Sequence, residues 1–526
     1  MIDSKDKSYS NPKGAAEDLV IASKFPPVSD TSGFVLAKRV LLNGKLVDVV
    51  QGQFLGQLDY DFNQLIDEFI DNRIVLDLNS SYGTSKDVDK FRTEGIKEIE
   101  KLNKEYKTIY SRCFTLKNSF LACEYKLRHP NVYWIAEFSD PIIVNLENKP
   151  RARAKKYSYE NEEFIDRINS KINEINQNRD NKFELVKKGD TTNFLGEYLP
   201  YLFADKIIFT NENQQEIMLS QFPYDIRDYV LERSEISIHP TLDEKYYHIK
   251  ESDYELDDDC INMAYFGTYL AKRNFETIYY ALETLDNSLK HKIKFHIFTR
   301  DNEDAGSLKK IIESLDISDD IYINDAVPLL EFLNLSTKFD VLIVNDTLTK
   351  GFFKFNPFLP SKYSDYLGSG NDIWALCEKN SVLDSIENIS YKSYIDDYSS
   401  TKEAIGKIIH DKLNIKMERL SIEDELYSQK AYLDSRLNYL NQVISIESNK
   451  VKQKDNKIDV LNKKIKKLKK ENKSLKNKNN EILNSKSWKL TKMLGNLGVL
   501  LRSSLAYSKF SGIQKKIIII IINKIF

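Results

Sequence analysis

The sequence is poor in the residues that build cross-links and metal sites. Four cysteines, Cys113, Cys123, Cys260 and Cys377, are scattered over 526 residues. Their spacing fits neither a zinc site nor a redox pair, so they read as small buried apolar residues of a reducing compartment. The six histidines (His129, His239, His248, His291, His296, His410) show no ligand spacing, and no metal site is expected. Two D-x-D triplets, Asp59-Tyr60-Asp61 and Asp87-Val88-Asp89, are of the kind that 79 acids generate by chance, and neither directly follows a buried strand. No apolar run reaches the roughly 18 residues that a membrane span needs. The opening residues, MIDSKDKSYSNPKGAAEDL, are polar and mixed in charge, so no signal peptide is expected. The expected location is cytoplasmic.

Net charge is also scarce, at −2, but that value conceals an asymmetry. Between Lys450 and Lys492 there are sixteen lysines against four acids, so the body is acidic and the tail strongly basic. A basic tail points to an anionic partner, a membrane or a polymer. Nucleic acid is not favoured, because the lysines are not interleaved with aromatics over 450–486.

With 41 % apolar residues the chain can bury sizeable cores, and its length suits two or three domains. Short β-branched runs alternate with helical patterns. Strands are predicted at 18–25, 47–53, 73–78, 107–113, 132–138 and 206–210, with helices at 32–43, 86–104 and 115–128. An irregular, acid-rich connection follows over 224–259, carrying a strand at 236–239. The alternation restarts with strands at 262–267, 292–299, 319–324, 340–344 and 372–378, and helices at about 274–289, 305–315 and 329–337. This alternation argues for the α/β class: two Rossmann-like domains, 1–225 and 226–415, each a parallel sheet with helices on both faces. Ligands are then expected in the cleft beyond the carboxyl ends of the strands.

From about Ile422 the pattern becomes an uninterrupted helix. Apolar a and d positions run through Leu437, Leu440, Ile444, Val451, Ile458, Leu461, Ile465, Leu468, Leu475 and Ile482, with Asn472 and Asn479 at two a positions. Such heptads over 422–486 predict a coiled coil, and the asparagines favour a parallel dimer. A solvated single helix is the alternative. In the tail, 487–526, Leu490, Met493, Leu494, Leu497 and Leu501 fall on one helical face beside lysines and Arg502. Six isoleucines at 517–522 suit an interfacial anchor.

Several loops could carry chemistry. In SKFPPVSDTSGFVLAKRV, Gly33 sits where a strand turns into a helix, an arrangement that can hold phosphate or serve as an ordinary turn. The segment NMAYFGTYLAKRNFETIYYAL places Gly267, Lys272 and Arg273 in a loop above a strand, where cations can pair with a diphosphate. In NPFLPSKYSDYLGSGNDIWALCE, Ser361 and Lys362 stand at a helix start, and Gly368 and Gly370 close that helix. Asp365 lies one turn on from Lys362, so both can face the cleft. Ser361 with Asp365 also fits a plain helix cap.

These segments, in order, resemble GT-B glycosyltransferases, specifically the family-4-like retaining enzymes of bacterial surface-polysaccharide assembly. The resemblance rests on FPPVSDTSG, YWIAEFSDP, YLFADKIIFTNENQQEIM, ISIHP, FGTY and LPSKYSDYLGSG, and spans about 17–415. It implies retaining, metal-independent transfer of a hexosyl group from a nucleotide-diphosphate sugar to a glycan or cell-surface polymer, without a further cofactor. It implies catalytic roles for Asp140, Arg273 and Lys362. The donor would meet Gly33, Gly267, Lys272, Arg273, Ser361, Lys362 and Asp365, with Asp365 on the ribose. Ser32, Arg112 and Asp140 would line the acceptor side. Many such enzymes carry two glutamates eight positions apart; here the second position is Asp365 and the first is Pro357, so one acid is missing. His239, before Pro240, reads as structural. A sugar-nucleotide epimerase on the same fold and a non-catalytic coiled-coil scaffold are the competing readings.

Overall fold

Runs of valine, isoleucine and aromatic residues bounded by polar turns form strands because their side chains fill a buried pleated surface. The protein is seen in a computed structural model, and among its described residues there are thirteen of them. The structure describes residues 14–53, 56–77, 85–113, 115–151, 162–269 and 275–415. Of the C-terminal stretch it describes 461–478 and isolated positions at 430–448 and 480–481. The chain divides into two compact units, Met1–Asp434 and Ser435–Phe526, and both sheets belong to the first.

The first sheet holds β1 (Asp18–Ile21), β2 (Val47–Gly52), β3 (Ile70–Leu76), β4 (Thr108–Arg112), β5 (Tyr133–Glu137), β6 (Lys206–Phe209) and β7 (Ser234–Ile236). Its order is β3-β2-β1-β4-β5-β6-β7, and every pairing is parallel. The second holds β8 (Ile261–Phe266), β9 (Ile293–Thr299), β10 (Ile321–Asp325), β11 (Val341–Asn345), β12 (Asp372–Cys377) and β13 (Tyr391–Tyr394). Its order is β10-β9-β8-β11-β12-β13, again all parallel. The strands are flanked by helices, some burying one face, as Ser85–Lys101 does, and some buried nearly all round, as in Leu116–Arg128, so both sheets are covered, as parallel sheets require. Each sheet reverses its winding between its first and fourth strands: β1 and β4, and β8 and β11. Crevices open at such switch points beyond the strand ends.

Most expected strands lie within a few residues of the observed ones. The strand expected over 236–239 is instead Ser234–Ile236, the edge of the first sheet, so the connection begins after it. The helix expected over 274–289 is two pieces, Glu276–Glu283 and Asn287–Lys290. Strand β13 was not anticipated, because YKSY is short and half polar.

An apolar cluster joins the two halves. Leu36, Leu41, Phe62 and Ile66, from helices beside the first sheet, pack with Tyr247, Leu329, Leu330 and Leu333 from the second half. Polar clamps reinforce it. Asp59 caps the helix Tyr60–Asp67 through Phe62 N (3.0 Å) and accepts from Leu329 N (2.8 Å) with its other oxygen. Asp61 pairs with Lys250. The D-x-D triplet Asp59-Tyr60-Asp61 therefore uses both carboxylates to fasten the halves together.

In the C-terminal unit, residues 461–478 are helical and exposed, including Leu461, Ile465, Leu468 and Leu475. The rest of the heptad stretch, apart from isolated positions, and all of 487–526 lie outside the described residues. Among the described residues no helix is long and apolar enough to cross a membrane.

Behind the first sheet, Glu197 is buried and accepts from the backbone N–H groups of Ile142 (2.7 Å) and Ile143 (2.9 Å), fixing the loop that follows Asp140. Burial pushes its carboxyl up to about 7, although those N–H groups pull it down. A raised folded pKa favours the neutral form. Its stabilisation is complete below the ordinary value of 4.5 and is lost as pH climbs through about 7. Glu197→Gln should therefore remove up to about 3 kcal/mol of pH-dependent stability between pH 4.5 and 8. Urea denaturation of wild type and variant at both pH values measures this; parallel pH profiles would show that Glu197 does not titrate there.

Candidate functional site

The loops at the strand ends meet where the winding of each sheet reverses. From the first sheet come residues 22–30, leading from β1 into the helix Thr31–Asn43, the end of β4 at Arg112, and Ser139–Asp140 after β5. From the second come Gly267–Thr268 after β8, Arg300 after β9, Ala326–Val327 after β10 and Thr347 after β11. Two cavities lie between them, of about 270 Å³ and 330 Å³. They share four wall residues, Asp30, Thr31, His239 and Ser361, and so form one branched cleft.

The larger-walled branch is apolar on one side, with Phe298, Val327, Leu329 and Phe332, and polar on the other, with Lys38, Lys362 and Asp365. Lys362 begins the helix Lys362–Ser369, and its ammonium lies 3.8 Å from the centre of the Tyr265 ring. Gly267, at φ +143°, passes so close to this lysine that an added Cβ would strike its ammonium. A glycine suits the backbone angle there, and a Cβ would push the flexible lysine head aside. The helix ends at Gly370 in the left-handed region (φ 76°). Gly368 has a different use, since a Cβ there would collide with the Tyr247 hydroxyl.

Asp365 lines this branch but is not an open carboxylate. Lys38, on the helix Thr31–Asn43, donates to it, and the two side chains are 5 % and 9 % exposed. Burial pushes Asp365 above the usual carboxylate range, while Lys38 pulls it down. The sequence reading missed Lys38: within FVLAKRV it looks like the solvated edge of a helix.

Gly33 is a correction. It lines neither branch. The space where its Cβ would lie is taken by the Lys24 carbonyl at 2.6 Å, and its N–H turns to Asp30 Oδ1 (3.4 Å). Its small size serves loop-on-helix packing, and the helix end is capped by Asp30, which also binds Lys24 (2.9 Å). Ser361 faces both branches and makes no capping hydrogen bond, so the plain-cap reading is set aside.

In the second branch Arg112 is buried between partners. It ion-pairs with Glu137, donates to Ser32 Oγ (3.0 Å) and approaches His239 Nδ1 (3.5 Å). Burial alone would raise the Glu137 carboxyl, but Arg112 and Arg39 overcome it and hold the group at about 2. Ser32, Arg112 and Asp140 line one cavity, with Arg112 held by an ion pair. At Pro357, the position of the missing acid, the backbone carbonyl accepts from Asn211 Nδ2 (3.1 Å). Lys272 and Arg273 lie outside the described residues. Among the described residues, no group of three or more potential metal-binding side chains occurs.

No family model and no curated protein matches the chain. Solved structures do. Anabaena HepE in complex with UDP and glucose is 10 % identical, covering 82 % of this chain and 100 % of that one, with a TM-score of 0.47. WaaG, a glycosyltransferase involved in lipopolysaccharide biosynthesis, is 10 % identical over 80 % and 95 %, at 0.45. A UDP-N-acetylglucosamine 2-epimerase is 8 % identical over 76 % and 89 %, at 0.44.

Removing Lys38 would strand a buried carboxylate. Lys38→Ala should lower unfolding stability by about 3–5 kcal/mol, and adding Asp365→Asn should recover part of that loss. Additive losses in a double-mutant cycle would show that the pair is not coupled.

Proposed function

We propose that the chain transfers a sugar from a nucleotide-diphosphate donor to a glycan or cell-surface polymer, with retention and without a metal. The observation that carries this reading is the branched cleft at both switch points, with Lys362 set under Gly267 at a helix start in one branch. A nucleobase suits the apolar wall of Phe298, Val327, Leu329 and Phe332. The diphosphate suits the Lys362 ammonium and the helix end behind it. The acceptor suits the other branch, beside Ser32 and Asp140. The transferred sugar then sits at the junction.

In this reaction the bond between the anomeric carbon and the β-phosphate oxygen breaks as the acceptor oxygen bonds to that carbon. The acceptor proton passes to the departing diphosphate, so no general base is needed. Lys362 neutralises the charge that grows on the leaving group. Lys272 and Arg273 remain candidates for the same task, and Asp365, held by Lys38, for positioning the donor. The family-4 resemblance, the hexosyl group and the polysaccharide acceptor belong to this proposal. So does a location at the inner face of the membrane.

Screening nucleotide sugars for binding and turnover tests the reading, with product analysis on labelled donor to separate transfer from epimerisation. Lys362→Ala should lower kcat/KM by about 10²–10³-fold with the fold intact. Gly267→Ala should weaken donor use as well, by displacing the ammonium. A Lys362→Ala protein with wild-type kcat/KM would remove that residue from the mechanism.

The exposed apolar positions of 461–478 suit pairing of two chains, which would bring two basic tails to one end and raise their avidity for an anionic surface. Full-length protein is expected to be a dimer that sediments with anionic liposomes and is released by high salt. Truncation before Ile422 should give a monomer that still uses its donor. A truncated protein that stayed dimeric would exclude the heptads as the dimerisation element.

A further inference from the structure

Four residues wall both branches of the cleft, and three have evident limits. Asp30 is committed to the helix cap and to Lys24. Thr31 and Ser361 carry only a rotatable hydroxyl. The fourth, His239, is held rigidly. It leaves the first sheet just beyond β7, and the segment before it is fixed by Arg39, which donates to Ser237 Oγ (3.1 Å) and to the Ile238 carbonyl (3.0 Å). The residue is 6 % exposed.

The neighbours also fix its protonation. Arg112 presents a guanidinium nitrogen 3.5 Å from Nδ1. A guanidinium only donates, so Nδ1 must offer its lone pair and the ring proton must sit on Nε2. Burial, with Arg112, Lys38 and Arg39 around the ring, pulls the imidazole down to about 3 against the opposing charge of Glu137. The ring is therefore neutral at physiological pH. No group among the described residues pairs with Nε2.

We propose that His239 touches the substrate, donating its Nε2–H to an oxygen of the sugar in transfer at the junction of the two branches. This rests on the transferase reading above. The role is donation and not proton abstraction, because the one lone pair on the ring faces Arg112. A fixed donor that holds a sugar hydroxyl keeps the anomeric carbon aligned with the departing diphosphate, and a misplacement of about 1 Å can cost on the order of 10²-fold in rate. It also leaves the acceptor proton to the departing diphosphate.

The test compares His239→Ala, His239→Gln and His239→Asn. It uses the nucleotide sugar that wild type turns over, and the matching nucleoside diphosphate, which lacks the sugar. The glutamine amide nitrogen can reach the place of Nε2, whereas the asparagine amide mimics Nδ1. Binding of the diphosphate should stay within about twofold in all three variants, since the sugar is absent. His239→Ala and His239→Asn should lose about 10²-fold in kcat, and His239→Gln should stay within about tenfold of wild type. Wild-type kcat in His239→Ala, or rescue by asparagine and not glutamine, would overturn the proposal. Loss of diphosphate binding in all three would show a structural role instead, and also overturns it. If His239→Ala does not fold, the contrast between glutamine and asparagine decides. A wild-type protein that turns over no nucleotide sugar defeats the transferase reading itself, and this role with it; active wild type with unaffected variants defeats only the role of His239.

Discussion

The buried ion pair between Lys38 and Asp365 is the constraint on which the cleft depends. Lys38 belongs to the helix that follows the first strand of the first sheet, and Asp365 to the helix that opens with Lys362 in the second half. Each charge would be costly to bury without the other, so the two helices are matched to one another at this point. Around it smaller contacts add support. Arg300 reaches across to Ser29 (3.1 Å) at the rim, and within the second half Tyr247 donates to the Asp365 carbonyl (2.6 Å) and Thr241 to the Ser364 carbonyl (2.9 Å). Between these polar ties the apolar cluster shared by both halves fills the remaining space.

The pair also bears on the chemistry. A carboxylate that already holds an ammonium is a poor partner for another cation, but it can still accept from a hydroxyl. That suits Asp365 to orienting a neutral group. Lys362 lies in the same branch with its ammonium over an aromatic ring, in surroundings that favour charge. Two lysines in one wall thus have different settings: one is paired with Asp365 across the halves, and the other lies over the Tyr265 ring.

The parallel sheets are legible because most of their strands are short runs rich in β-branched and aromatic residues, and that signal is local. VDVVQG and INMAYF declare themselves without reference to anything distant. What escaped was nonlocal. Lys38 finds its partner 327 residues away, and no pattern in FVLAKRV announces a burial created by the other half. Asp59 looked like part of a chance acidic triplet because Leu329, whose N–H it accepts, lies in another domain of the sequence. His239 read as structural beside its proline, and its place between two cavities exists only once both sheets are folded. Gly33 failed in the opposite sense: its position before a helix matched a phosphate loop, but the space it leaves is filled by the chain's own Lys24 carbonyl.

The shared apolar cluster has a consequence for biosynthesis. Leu36 and Phe62 emerge early from the ribosome, whereas Leu329, Leu330 and Leu333, which cover them, are made far later. At ordinary elongation speeds of about 5–20 residues per second the interval is on the order of ten to fifty seconds. Throughout it, the nascent first half must carry an uncovered greasy face that its own strands and helices cannot bury. Its assembly is thus tied to the arrival of the second half, and the growing chain offers chaperones a defined window in which to hold it.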